Sequence, residues 1–165
     1  MGEKKIRLRR YNDDLYVSGL GIILMGVWTV IKVFMEVFLG SEGGVDFGTD
    51  DPEMRRVGMI VLVILLVLLS FAIMRLHFYI GLNAIRSAKG RQFKKGYYTA
   101  SYILLTLTVL GLFSYIHILD HLDDIDTTIA SFITDLTMIY MLVIIIGSTK
   151  NIRKIKEETI EERAV

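Results

Sequence analysis

Four long apolar stretches, separated by short charged blocks, dominate the pattern along this chain of 165 residues. They cover approximately residues 15–40, 57–83, 97–119 and 127–149. Each reaches the length of roughly 20 residues with which an α-helix crosses a hydrocarbon core about 30 Å thick. The single proline, Pro52, lies between the first two stretches and interrupts neither. The pattern predicts one all-α membrane domain over residues 1–165, a bundle of four transmembrane helices running up, down, up and down.

The charges between the stretches predict an orientation. Lys and Arg are concentrated before the first stretch, between the second and third, and after the fourth, whereas Asp and Glu dominate the other two connections. Because cytoplasmic segments carry the excess of Lys and Arg, we expect both termini in the cytoplasm. The expected location is a cell membrane, namely the cytoplasmic membrane of a bacterium. The tail, residues 150–165, contains no Gly or Pro and is expected to prolong the fourth helix.

Composition adds mainly exclusions. The 53% of hydrophobic and 22% of charged residues are close to those of a soluble domain, so the distribution rather than the total identifies the class. The chain has no cysteine, which excludes disulfides, thiolate metal sites and cysteine nucleophiles. It also lacks the nucleophile elbow, the Walker loop, the zinc-protease helix motif and the dinucleotide glycine fingerprint. We therefore predict no catalytic residues and no resident cofactor, with a divalent metal as the one alternative.

Four charged residues fall inside the apolar stretches: Lys32, Glu36, Arg75 and Asp135. Near a helix centre each such charge costs about 2.5–3.5 kcal/mol, so it is expected to face protein or water. At about 1.5 Å per residue, Lys32 and Asp135 lie roughly 12–14 Å below the outer boundary, and Arg75 lies about 12 Å above the inner one. A cluster of all four would be electrically neutral, as burial requires.

Polar and small residues extend this cluster along helix stripes. Spacings of three and four residues, which mark one helix face, predict a polar lining formed by Thr29, Ser70, His77 and Ser131. In the second stretch the same spacing continues through small residues suited to close helix packing. Two interpretations remain open: ion pairs that hold the helices in register, or a water-accessible path for an ion or small polar solute.

A second group of polar residues follows the third stretch. His117, His121 and Asp124 stand at i, i+4 and i+7, a spacing that places two imidazoles and a carboxylate on one helix face, as a divalent metal site requires. This geometry holds only if the helix continues past Leu119. The alternative is a pair of histidines at the membrane interface within an acidic loop.

These observations favour a non-catalytic membrane protein that associates with itself or with a larger membrane assembly. The alternative is a small channel or transporter that uses Lys32, Glu36, Arg75 and Asp135 along its path, and a third hypothesis is a membrane metalloenzyme built on the two histidines. The expected partners are the lipid bilayer and either a second copy or another membrane protein. We expect no nucleic acid partner, because the basic connection over residues 86–95 is typical of an anchor at an anionic membrane surface.

Overall fold

In the computed structural model of the protein, every regular element among the described residues is an α-helix. These elements are α1 (Gly2–Leu39), α2 (Pro52–Ala88), α3 (Tyr97–Ile118) and α4 (Ile125–Ala164). The structure describes residues 2–39, 47–48, 51–91, 94–118 and 125–164, except for the side chains of residues 36, 38, 39, 114–118, 125–128, 161, 163 and 164. The predicted all-α class is confirmed.

Three of the four helices, α1, α2 and α4, are long and apolar enough to cross a membrane, judged by length and composition. The apolar part of α3 whose side chains are described, Tyr97–Phe113, is shorter. α1 has 38 residues and α4 has 40, which correspond to about 57 and 60 Å, roughly twice the thickness of a hydrocarbon core. These lengths indicate a membrane protein in which α1 and α4 extend well beyond the bilayer.

α1 lies antiparallel to α2, and glycines set the distance between them. A Cβ atom added to Gly19 would lie 2.9 Å from the carbonyl oxygen of Gly81, and one added to Gly26 would lie 2.5 Å from the Cβ of His77. Both distances are shorter than real Cβ contacts, so the two backbones approach as closely as they do because these positions carry no side chain.

α1 is also antiparallel to α4. Gly21 contacts Met141, Lys32 lies beside Asp135 further along α1, and Lys4 near its start forms ion pairs with glutamates near the end of α4. The start of α1, the end of α2 and the end of α4 therefore lie together. We call this the basic end of the molecule, because it carries most of the Lys and Arg residues.

Packing is tightest in the half of the molecule next to the basic end. The largest fully buried side chains there are Leu15, Ile22, Ile80, Tyr97, Leu142 and Ile145. In the opposite half of α2, between Pro52 and Leu76, Leu66 is the single buried side chain in the described structure. The first half of α2 thus has little contact with the other described parts of the chain.

Local signals explain where α2 begins and ends. The Asp51 side chain caps the helix by accepting a hydrogen bond from the Glu53 backbone N–H at 2.9 Å, and Pro52 occupies the first position, where no backbone donor is needed. At the other end Gly90 has φ = 66°, a left-handed conformation that terminates the helix.

Candidate functional site: an intramembrane ion pair

The centre of the candidate site is an ion pair between α1 and α4. The Nζ atom of Lys32 lies 3.8 Å from Oδ2 of Asp135, and each side chain is 21% exposed. At this distance the two charges attract each other electrostatically without the 2.7–2.9 Å contact of a direct charged hydrogen bond. The structure thus brings together two of the four charges that the sequence places within the apolar stretches.

Arg75 is not brought to this pair. It lies two positions before His77, which faces α1 and α4, and two positions in an α-helix correspond to a rotation of about 200°. The side chain of Arg75 is consequently exposed on the opposite face of α2, where it forms no ion pair with a described residue. Depth alone made Arg75 a candidate, whereas its position around the helix places it elsewhere.

His77 occupies the contact between three helices and is only 2% exposed. Its Nδ1–H donates a hydrogen bond to the Ile73 carbonyl at 2.8 Å, and Nε2 lies 3.4 Å from the sulfur of Met138 on α4. Since the ring also packs against Gly26 of α1, its position is determined on three sides. In the described structure His77 is a packed residue of the helix junction.

The predicted polar lining residues differ in what they contact. The Thr29 hydroxyl donates to the Met25 carbonyl at 2.8 Å and is satisfied within its own helix. Ser131 is partly exposed, one turn before Asp135 on the same face of α4. The Ser70 hydroxyl oxygen is buried with no hydrogen-bond partner among the described residues.

Ser70 lies near the level of the ion pair. Gly26 faces His77, and six further residues along α1 in this antiparallel register bring Lys32 to the level of residue 71 on α2. The buried Ser70 hydroxyl is therefore at the same depth as the partly exposed charges. The polar groups at this depth come from α1, α2 and α4.

Several predicted site residues lie outside the described part of the structure. The side chains of Glu36 and His117 are not described, and His121 and Asp124 lie outside the described residues altogether. The part of the chain that is described contains no group of three or more His, Asp or Glu side chains that could hold a metal ion.

The sequence interpretation missed the role of Gly26 in positioning the site. Gly26 accommodates the ring of His77, and Gly21 accommodates Met141. The available signal was the series Gly19, Gly21 and Gly26 in an otherwise bulky apolar helix, since glycines within a membrane helix are typical of close contacts.

Comparison of the chain with protein-family models, with curated proteins and with solved structures finds no match.

Proposed function

We propose that this chain is a non-catalytic membrane protein with four spans and both termini in the cytoplasm, and that it functions by association with another membrane protein through α2. The observation that carries the proposal is the exposure of Arg75 on the face of α2 that points away from α1 and α4.

The direction of the helices supports the proposed fourth span. α3 begins at the basic end, where the Tyr97 hydroxyl lies 2.8 Å from that of Thr149, and α4 begins at the other end, where Asp135 lies beside Lys32. A crossing by α3 would carry the chain from the first of these ends to the second. The 22 residues of α3 correspond to about 33 Å, which matches one crossing of a bilayer core.

The absence of cysteine allows the topology to be tested with single introduced thiols. We expect Glu53→Cys to react with a membrane-impermeant maleimide in intact cells, and Arg91→Cys and Ile160→Cys to react only after the membrane is permeabilised. If Ile160→Cys reacts in intact cells while Arg91→Cys does not, the end of α4 and the connection after α2 lie on opposite sides of the membrane. That result would show that α3 does not cross the membrane.

The proposed interaction involves one continuous strip of α2. The residues that follow Arg75 in both directions at alternating spacings of three and four are all exposed. We call this strip the α2 outer face, and it consists of Ile64, Leu68, Phe71, Arg75, Phe78 and Leu82. An apolar strip alone is what a lipid-facing helix presents. The guanidinium in its middle is costly in lipid, by about 2.5–3.5 kcal/mol near a helix centre, unless a counter-charge covers it.

The proposed occupant is a membrane helix of another protein with a carboxylate at the depth of Arg75. A bidentate pair between guanidinium and carboxylate in an apolar surrounding supplies both affinity and register. A second copy fits less well, because a two-fold contact across this face would bring two Arg75 side chains together. Asp135, the intramembrane carboxylate whose side chain is described, already lies beside Lys32.

Site-specific photo-crosslinking in the membranes of native cells tests this interaction. A photoreactive residue at Leu68 is expected to yield an adduct with a second membrane protein, and Arg75→Gln is expected to abolish it. Two matched controls accompany this test. Arg86→Gln, which removes a cation at the basic end, should leave the Leu68 adduct unchanged. A photoreactive residue at the exposed Val143 of α4 should form no adduct with the same protein.

The decisive step uses the carboxylate of the captured partner. Neutralising it should abolish the adduct, and exchanging the two charges between the proteins should restore it. Three outcomes would each refute the proposed contact. The captured partner could lack an intramembrane carboxylate, the adduct could contain two copies of this chain, or the adduct could be insensitive to Arg75→Gln.

One observation favours the second function, a small channel or transporter. Lys32 and Asp135 are each 21% exposed, and the buried Ser70 hydroxyl near their depth has no described partner, so this level offers polar contacts for water. For this function, Asp135→Asn would abolish ion or proton flux into liposomes while helicity is retained. If neither the wild type nor the variant shows flux under any gradient, the channel or transporter function is excluded.

A further inference from the structure

A cavity of about 350 Å³ opens at the basic end between α2, α4 and the connection that leads to α3. Ser87 lines it from the end of α2, and Ile152 of α4 supplies an apolar wall. The other lining residues are polar: Thr149, the cations Lys95, Arg153 and Lys156, and the carboxylate Glu157. The volume lies in the range of sites for small molecules.

Buried hydrogen bonds hold the walls of this cavity in place. The Thr149 hydroxyl donates to the Ile145 carbonyl at 2.6 Å and lies 2.8 Å from the Tyr97 hydroxyl, which connects α4 with the start of α3. The connection is attached to α2 as well, because the Lys94 backbone N–H donates to the Asn83 side chain at 2.9 Å. Lys95 therefore projects from a fixed segment.

The donors of the cavity match the chemistry of a phosphate group. Three cations and one carboxylate leave two net positive charges around a partly apolar space. The guanidinium of Arg153 lies 5.1 Å from the centre of the Tyr98 ring, which limits the directions that it can take. Arg presents paired N–H donors to phosphate oxygens, and Lys adds a charged donor on a flexible stem.

Ser87 is the second observation that favours a ligand here. It is 9% exposed and lines the cavity, and no described hydrogen bond involves its hydroxyl. In the described structure the hydroxyl that is both enclosed and unpaired is that of Ser70, so the Ser87 hydroxyl stays accessible to a ligand. A phosphate oxygen in the cavity would accept its proton.

We propose that this cavity, formed by Ser87, Lys95, Arg153 and Lys156, binds a phosphate group. Two kinds of molecule carry such a phosphate group: an anionic phospholipid, in its headgroup, and a soluble phosphate compound. Ile152 beside the cations and the tyrosines of α3 suit the glycerol region of a lipid at the level of the membrane interface.

Binding to the purified full-length protein in phosphatidylcholine nanodiscs distinguishes the two sources. In one arm phosphatidylglycerol is titrated into the discs, and in the other inorganic phosphate or glycerol 3-phosphate is added to the solution, with native mass spectrometry and thermal unfolding as readouts. Saturable one-to-one binding of phosphatidylglycerol alone identifies a lipid site. Saturable binding of the soluble probes identifies a soluble phosphate compound.

The variants test whether the cavity itself binds the probe. Arg153→Gln and Lys156→Gln are each expected to weaken binding about tenfold, the effect of losing one charge-assisted hydrogen bond. Arg86→Gln and Lys150→Gln remove exposed cations of the same end outside the cavity and serve as matched controls. Glu157→Gln is expected to strengthen binding, because it removes the carboxylate that repels the phosphate.

Three results would overturn the proposal. One is the absence of saturable binding in both arms. Another is an equal effect of the control variants, which would mean that the probe responds only to the charge of the whole surface. The third is unchanged or weaker binding by Glu157→Gln when its circular dichroism and elution volume match those of the wild type.

Discussion

His77 of α2 packs directly on Gly26 of α1, so closely that a Cβ at position 26 would lie 2.5 Å from the Cβ of His77. The same ring approaches the sulfur of Met138 on α4 at 3.4 Å. This junction determines how α1, α2 and α4 are rotated relative to one another. It thereby decides which intramembrane side chains face the interior.

The first prediction concerns the glycines that allow this contact. Gly26→Ala places a methyl group against the Cβ of His77, and Gly19→Ala places one against the Gly81 backbone, so each is expected to destabilise the protein by about 1–3 kcal/mol. Unfolding in detergent measures the loss. Gly111→Ala and Gly147→Ala are matched controls with open space around the added methyl, and they should be neutral or slightly stabilising. Equal losses in all four variants would contradict the close approach.

A second prediction concerns the pair of Lys32 and Asp135. Lys32→Met and Asp135→Leu should each destabilise the protein by about 2 kcal/mol, between the values typical of exposed and buried pairs, because each removes the opposite charge beside the remaining one. The double variant should recover most of the loss, since an apolar pair of similar volume carries no desolvation cost. A double-mutant cycle of unfolding free energies measures the coupling, and simple additivity would show that the two charges do not interact.

The contact between Lys4 and Glu162 outside the membrane predicts a response to pH. The hydrogen bond from the Lys4 ammonium lowers the pKa of Glu162, and the same bond raises the pKa of Lys4. The contribution of Glu162 is present above its unfolded pKa, about 4.3 for a free glutamate, and is lost as the pH falls through the lowered folded value. The contribution of Lys4 is present below its unfolded pKa and is lost as the pH rises through the raised folded value.

Spin labels at Ile6→Cys and Ile160→Cys report on this contact, because both positions are exposed. The distance distribution should be constant around neutral pH and broaden when the solution is acidified below the lowered pKa of Glu162. In a Lys4→Gln background the acid response should be absent. A distance that stays unchanged down to full protonation of the carboxylate would show that the ion pair does not hold the two helix ends.

A fourth prediction concerns the buried bond between α3 and α4. Tyr97→Phe removes the hydroxyl that lies 2.8 Å from that of Thr149 and is expected to cost about 0.5–1.5 kcal/mol of unfolding free energy. Tyr98→Phe is the neighbouring control, because its hydroxyl is bonded at the exposed surface to Tyr102 at 3.2 Å, and it should cost less. A larger loss for Tyr98→Phe would contradict the assignment of the buried bond.

Two features were determined by the sequence alone: the positions of the helices along the chain and the approximate depth of each charge. Apolar stretches of about 20 residues leave little choice but helices, because backbone groups in lipid must be hydrogen-bonded within the segment. Depth then follows from the rise of about 1.5 Å per residue, which predicts comparable depths for Lys32 and Asp135, and the structure places their charged atoms 3.8 Å apart. Helicity of residues 150–164 likewise follows from a tail without Gly or Pro.

Only the tertiary structure decided which side of each helix faces the interior and which helices are neighbours. Arg75 and His77 differ by two positions and therefore by about 200° around α2, so only one of them can face α1. Gly26 makes that residue His77, since it leaves room for the ring, and Arg75 is turned outward as a result. The cavity beside Arg153 likewise depends on residues from α2, the following connection and α4, which are brought together only by packing.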